Sequence, residues 1–286
     1  MKSSLILLSS MSMEPSHDFS FPAHPIIWEP LVRRFPGFPL IILDRNGKLI
    51  FSHEYLRYLK RKGRKKVHAL RLNIAGFEAL CLNYNLKSAL LGINLYEKLF
   101  FLKRAIECAK FEEIYRRTSF DLPINSELIG NLDYLLTSDF RDGLASGRLS
   151  LKSAFRLLRL AGTDLAAILL LFERVIFSQG EQAKVIEWLE DIAFREKKTF
   201  SNILRRLGWQ RLLKREMPQK KILAALFRLR FPQAADREKE WRQALRELRM
   251  PDAVQVSHSP FFEKNEIEVR LRLKDIKELK NLFASR

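Results

Sequence analysis

The chain has 286 residues, with 51 Lys and Arg against 33 Asp and Glu, a formal net charge of +18. Hydrophobic residues make up 47%, enough for a sizeable core, which excludes a chain disordered throughout. The cationic surplus is clustered, unlike that of a typical cytosolic enzyme, and points to a polyanion or an anionic surface as partner.

Residues 1–22 combine one lysine, a short apolar run and small residues. We expect a disordered tail here, because the run is short for a secretory leader and no clear cleavage site follows. Pro22, Pro25 and Pro30 punctuate an extended entry. Leu40 to Leu43 reads as a strand, Asn46-Gly47 as a type I′ hairpin turn, and Lys48 to Phe51 as the return strand. His53 to Lys62 reads as a helix stopped by Gly63, and Val67 to Leu72 as a further strand. This small mixed sheet with a helix across it forms a first domain, residues 23–76.

From Phe77 the pattern is helical, giving a second domain at residues 77–216. Leu95, Leu99 and Leu102 mark one helix. A helix pair follows from Phe111 to Leu136, with a turn near Pro123. "SLKSAFRLLRL" is amphipathic, Asp164 to Phe177 is apolar on most faces, and Ser178 with Glu181 forms a capping box. The longest apolar run, Leu165 to Phe172, is far short of the roughly 20 residues of a membrane span. The last domain, residues 217–286, reads as helix (Arg237 to Arg249), strand, strand and closing helix from Lys274. Ile267, Val269, Leu271 and Leu273 share the apolar face of the second strand. Its edge is a candidate for pairing with a second copy, so a homodimer is expected. The fold class is therefore α+β: a small mixed-sheet N-terminal domain, a helical middle and a small α/β C-terminal unit.

Cys81 and Cys108 both lie in apolar helical patterns and are read as buried thiols of a reducing cytoplasm. The histidines His17, His24, His53, His68 and His258 show no metal-ligand spacing, and no metal is expected. No Ser-His-Asp, Cys-His or paired-carboxylate constellation emerges, so no catalytic residue is nominated.

The segment "LIILDRNGKLIFSHEYLRYLKRKGRKKVHALRL", then "NYNLKSALLGINLYEKLFFLKRAIE", then "DFRDGLASGRLSLKSAFRLLRL" resembles, in order, the ParB/sulfiredoxin-like superfamily over residues 25–206. That family has a Gly-(His/Glu)-Arg-Arg turn opening a helix, an Asn-containing second motif and a helix-turn-helix, here Phe111 to Leu136. The resemblance implies a cytoplasmic, nucleoid-associated DNA-binding protein of the chromosome or plasmid partition or transcription-regulator type. It also implies a cytidine-nucleotide pocket, with CTP as the candidate cofactor, at His53, Arg57, Asn85 and Lys87. The chain departs from the family where Ser52 replaces the glycine, Glu54 an arginine, and Lys87-Ser88 the usual Gln-Arg.

The DNA-contact candidates are Lys60, Arg61, Arg64, Lys65 and Lys66 in the first basic cluster, Asn125 and Ser126 at the start of the recognition helix, and Lys152 and Arg156. A second belt, Arg205 to Arg230, adds Arg211, Lys214, Arg215, Lys220 and Lys221. For the first cluster three readings stay open: contact with DNA backbone, cover for a nucleotide pocket by Arg57 and Lys60, or a solvated face. Asn125 and Ser126 are read either as base contacts or as helix caps. Trp209, Phe227 and Phe231, interleaved with the second belt, are expected to be core anchors, and His258 a structural residue. Two rivals to DNA binding remain: a nucleotide switch or phosphoryl-transfer enzyme on the N-terminal pocket, and a protein–protein module that has lost DNA binding.

Overall fold

The computed structural model describes residues 4–7, 17–19, 41–160, 162–248, 254–259 and 266–272. The expected extended entry before Leu40 and the closing helix from Lys274 lie outside the described residues. The chain divides into two compact units, Met1–Ala183 and Lys184–Arg286, so the division falls inside one helix, Gln179–Glu196. The sequence-based boundaries at 76/77 and 216/217 lie within the first and second units respectively. None of the helices is long and apolar enough to cross a membrane, among the described residues.

The first unit starts from a four-stranded mixed sheet: β1 (Ser4–Leu7), β2 (Ile41–Leu43), β3 (Leu49–Phe51) and β4 (Lys66–Arg71), in the order β1-β4-β2-β3. β2 pairs antiparallel with β3 and parallel with β4, while β1 lies antiparallel to β4, Ser4 opposite Ala69 and Leu7 opposite Lys66. Parallel pairing needs a crossover, and α1 (His53–Arg61) supplies it. The runs Ile41–Leu43 and Leu49–Phe51 are buried throughout, as strands covered on both faces must be. Ile41, Leu43, Leu49 and Ala69 pack with Leu56 of α1. Ile42, Ile50 and Phe51 pack instead with Ala79 of α2 (Gly76–Leu90).

The β2–β3 connection differs from the expected type I′ turn. Asp44 N–H donates to Lys48 C=O (2.8 Å), and Gly47 N–H donates to Asp44 C=O (3.1 Å). Among the described non-glycine residues only Ser52, Lys197 and Met217 have positive φ, so Asn46 does not; Gly47 does, at 80°. The loop is thus one residue longer, with glycine alone in the left-handed position and a register shift between Ile42 and Leu43. Asp44 explains the change: its Oδ1 accepts from both Asn46 N–H and Lys48 N–H at 2.8 Å, an Asx turn that a two-residue loop has no room for. The helix stop at Gly63 (φ 70°) is as expected: Gly63 N–H donates to Lys60 C=O and Arg64 N–H to Leu59 C=O, the two bonds of a Schellman motif.

Helices follow: α3 (Leu95–Ile106), α4 (Phe111–Arg117), α5 (Ser126–Leu135), α6 (Ser138–Ala145), α7 (Leu151–Leu157) and α8 (Gly162–Arg174), then α9 (Gln179–Glu196) across the division. α3 opens with a full capping box between Asn94 and Glu97, and α9 with the expected one between Ser178 and Glu181. The expectation of two buried thiols is half corrected. Cys81 is buried, which pushes its thiol up to about 11, but Cys108 lies past the end of α3 and is exposed.

The second unit contains α10 (Phe200–Leu207), α11 (Trp209–Leu212), α12 (Pro218–Arg230), α13 (Pro232–Glu247) and an antiparallel ribbon of β5 (Val254–His258) and β6 (Ile267–Leu271). Trp209 is buried, a core anchor as read, whereas Phe227 and Phe231 are half-buried and pack edge-on to half-buried Trp188. His258 is structural too: Nε2 lies 2.9 Å from Glu238 of α13, and the ring meets Trp241 edge-on. β6 differs from expectation. Both its faces are exposed, Ile267 by 60% and Val269 by 54%, because only one strand pairs with it among the described residues.

The expectation of a disordered N-terminal tail is corrected in two places. Ser4–Leu7 forms the edge strand β1, and Phe19 is 2% exposed, its ring 5.7 Å from that of Phe101 and 6.0 Å from that of Tyr84. An isolated short run gives no sign of pairing with a strand some sixty residues on. Phe19→Ala is therefore expected to cost about 3–5 kcal/mol in urea unfolding, as for a core phenylalanine; a residue in a tail would change stability by less than about 0.5 kcal/mol.

Candidate functional site

Two places in the described structure concentrate polar chemistry. One is a buried polar cluster in the first unit where α1 begins. The other is the basic face of the second unit around α11 and α12.

The cluster begins with Ser52, the N-cap of α1, at φ 72° and ψ 44°. This left-handed backbone costs a residue with a Cβ roughly 1–2 kcal/mol and suits glycine. Ser52 is 3% exposed, makes no side-chain cap and leaves its Oγ without a hydrogen-bond partner. His53, the first residue of α1, is 2% exposed. Segment 17–19 closes over this point. Asp18 lies 3.8 Å from His53 Nδ1 and 3.4 Å from the Arg57 guanidinium, and Arg104 of α3 interacts with it electrostatically. His17 sits 3.4 Å from buried Asp44, and its backbone carbonyl accepts from Asn83. Burial holds the His17 imidazole below its ordinary value against the pull of Asp44, so it is neutral at pH 7.

The four nucleotide-site candidates do not share one role. His53 and Arg57 meet at Asp18. Lys87 is buried and bonded to Glu97 at 2.6 Å, with the Phe19 ring beneath its ammonium at 5.6 Å. Asn85 faces elsewhere: its Nδ2 donates to Arg117 C=O at 2.8 Å and its Oδ1 accepts from Ser119 N–H at 3.1 Å. It fixes the end of α4 against α2, a structural duty that a motif match does not reveal. Asp18, which joins His53 and Arg57, was missed because its place depends on contact between distant segments.

The first basic cluster is solvent-facing. Lys60, Arg61, Arg64, Lys65 and Lys66 are exposed around the Schellman turn and the start of β4. Lys62 lies over the Tyr58 ring at 5.7 Å. At the start of α5, Asn125 is a cap: its Oδ1 accepts from Leu128 N–H at 2.8 Å. Ser126 is exposed beside it, but the outer face of α5 carries Glu127, Asp133 and Tyr134, the last 64% exposed. Lys152 is exposed, whereas Arg156 is half-buried and donates to Ala183 C=O at 3.1 Å. It is withdrawn from the set of surface cations.

In the second unit the belt splits by pairing. Arg206 grips Glu196 through two bonds of 2.7 and 2.9 Å, which holds that carboxyl below its usual range. Arg230 pairs with Glu187 and Asp191. By contrast Arg211, Lys214, Arg215, Lys220, Lys221 and Arg228 are exposed and meet no carboxylate within ion-pair distance among the described residues. Arg211, Lys214 and Arg215, with Gln210, line one open recess of about 660 Å³ at the end of α11. Beneath it Trp209 is anchored in the core, and Gly208 (φ 65°) sets the bend from α10.

No protein-family model matches the chain, and neither does any curated protein. Among solved structures it is similar to the C-terminally truncated chromosome-partitioning protein ParB from Caulobacter crescentus complexed to the centromeric parS site. The identity is 16% over 65% of this chain and 99% of that one, with a TM-score of 0.34.

Two substitutions test the cluster. Ser52→Gly relieves a left-handed Cβ and removes a buried hydroxyl without a partner, and is expected to raise stability by about 1 kcal/mol. Lys87→Met strands Glu97 and is expected to cost about 3–5 kcal/mol, part of which returns in Lys87→Met/Glu97→Gln. Urea titration of the three variants checks both.

Proposed function

We propose that the chain binds DNA through basic surfaces, chiefly by contacts with the phosphate backbone. The observation that carries this reading is the set Arg211, Lys214 and Arg215, lining one recess with no carboxylate within ion-pair distance among the described residues. A folded protein that holds like charges together without counter-charges incurs self-repulsion, which a polyanion relieves by releasing its own counterions. Lys220, Lys221 and Arg228 extend the cationic exposure on α12, and Lys152 with the Arg61–Lys66 cluster provides further positive surface in the first unit.

Base reading has less support. Asn125 is committed to a cap, and α5 turns Glu127 outward, where a carboxylate repels phosphate, while Asp133 is paired with Lys103. Contacts of this kind position a protein on DNA without selecting a sequence. A partition or transcription-regulator role, association with the nucleoid and a homodimer through the C-terminal ribbon are the finer parts of the proposal. The exposed Ile267 and Val269 of β6 support the last. The rival cytidine-nucleotide reading draws support from His53 and Arg57 alone, since Asn85 and Lys87 are engaged elsewhere. A protein–protein module without DNA affinity predicts no salt-dependent binding.

Fluorescence anisotropy with a labelled duplex, titrated over salt, tests the reading. Affinity is expected to fall linearly in log–log form. The triple variant Arg211→Gln/Lys214→Gln/Arg215→Gln is expected to weaken binding equally for unrelated sequences and to reduce the slope by about one unit per lost phosphate contact. A slope unchanged by the triple variant would remove the recess from the interface.

A further inference from the structure

The basic faces leave one part of the first unit without a role. An open groove of about 630 Å³ lies between α6 and α8. We propose that this groove is a docking site for an amphipathic helix of a partner protein, one with basic residues beside its apolar face. This is independent of the DNA reading, whose recess lies in the other unit and carries the opposite charge.

Two helix faces form the walls. On α8, Ala166, Leu169, Leu170 and Glu173 line the groove at the spacing i, i+3, i+4 and i+7, which is one face of a helix. Ile168 and Leu171 of the same helix are fully buried. The helix is therefore apolar on the side that it packs and apolar again on the side that it leaves open, with Leu170 39% exposed. A helix apolar on most faces is ordinarily covered on most faces. On α6, Asp139, Asp142 and Gly143 repeat the i, i+3, i+4 spacing. Ala145, Leu149 and Phe172 are buried and make the floor. Gly143 keeps Leu149 close to α6, since an added Cβ would stand 3.0 Å from the Cβ of Leu149.

The rim selects the partner. Asp139, Asp142 and Glu173 are exposed around the apolar floor, against Arg148 as the one base among the described lining residues. Asp139 and Glu173 meet no cation within ion-pair distance among the described residues. Asp142 meets only Arg141, at 3.2 Å in an exposed pair, which is weak. In a chain of net charge +18 this is a local reversal of sign. Such a rim repels a polyanion and attracts Lys or Arg, while the floor accepts apolar side chains. A cationic amphipathic helix meets both demands: anchors at i, i+3 or i+4, and i+7 enter the groove, and the basic side chains beside them reach the carboxylates.

The test is fluorescence anisotropy of a labelled amphipathic Leu/Lys peptide, about four helical turns long, titrated with the full chain at several salt concentrations. Overall charge repels this peptide, so tight binding needs a local site. Saturable binding is expected. Leu170→Gln is expected to raise Kd about tenfold. Asp139→Asn/Glu173→Gln is expected to raise it about threefold or more and to flatten its salt dependence. A Leu/Glu peptide of the same pattern is the control, and any binding that it shows is expected to be unchanged in these variants. Absence of saturable Leu/Lys binding, binding indifferent to Leu170→Gln or to the paired charge removal, or equal losses for both peptides would overturn the proposal. Light scattering is expected to give one molar mass for the unsubstituted chain and for Leu170→Gln; a lower mass in the variant would make the occupant a second copy and overturn the partner assignment. If Leu170→Gln does not melt cooperatively, Leu170→Ala takes its place with the same expectations. If neither folds, Leu170 is a packing residue and the proposal fails.

Discussion

The constraint from which the rest follows is uncompensated positive charge. With 51 basic side chains and 33 acidic ones, the chain cannot pair every cation, and folding decides which remain. Where a cation stabilises the fold it is engaged: Lys87 with Glu97 in the interior, Arg206 with Glu196, and Arg230 with Glu187 and Asp191. The cations left over are spread along the described chain, with two dense runs among them. Some lie singly, such as Lys110, Arg148, Arg159, Arg174 and Lys239, but the densest runs are Arg61–Lys66 in one unit and Arg211 to Arg228 in the other, and three of the latter share a recess. Electrostatics of this kind governs association and its rate more than it governs fold.

The polar cluster of the first unit shows the opposite solution to the same problem. There the chain supplies its own anion. Asp18 lies beside His53 and Arg57, while Asp44 holds the turn before β3 and receives His17. The arrangement links sheet, helix start and aromatic core through a segment of three residues. It also places a serine in a backbone conformation that glycine adopts without cost, with its hydroxyl unsatisfied in the interior. Strain and an orphaned polar atom at one point are more characteristic of a site than of a fold optimised for stability alone.

Local chemistry was legible in the sequence, and distant contacts were not. The Gly63 stop, the Ser178–Glu181 capping box, the amphipathic helices and the core role of Trp209 follow from neighbours a few residues apart. The hairpin was found but its loop length was not, because the Asp44 carboxylate outweighs the Asn46-Gly47 preference. Strand β1 and the burial of Phe19 depend on partners far along the chain, and nothing in residues 1–22 announces them. The same limit applies to the site. Exposed runs of lysine and arginine were visible as runs, but which of them find carboxylates depends on tertiary structure. Arg156 and Asn85 matched a motif or a charge pattern and proved to brace the backbone.

In the proposed binding mode the exposed cations of the second unit meet a phosphodiester polymer. Lysine acetylation footprinting, with and without a saturating DNA duplex, reads this residue by residue. Protection centred on Lys214, Lys220 and Lys221, while Lys87 stays unreactive in both states, is the predicted pattern. Lysines of that face acetylated at the same rate in the presence of DNA would contradict it.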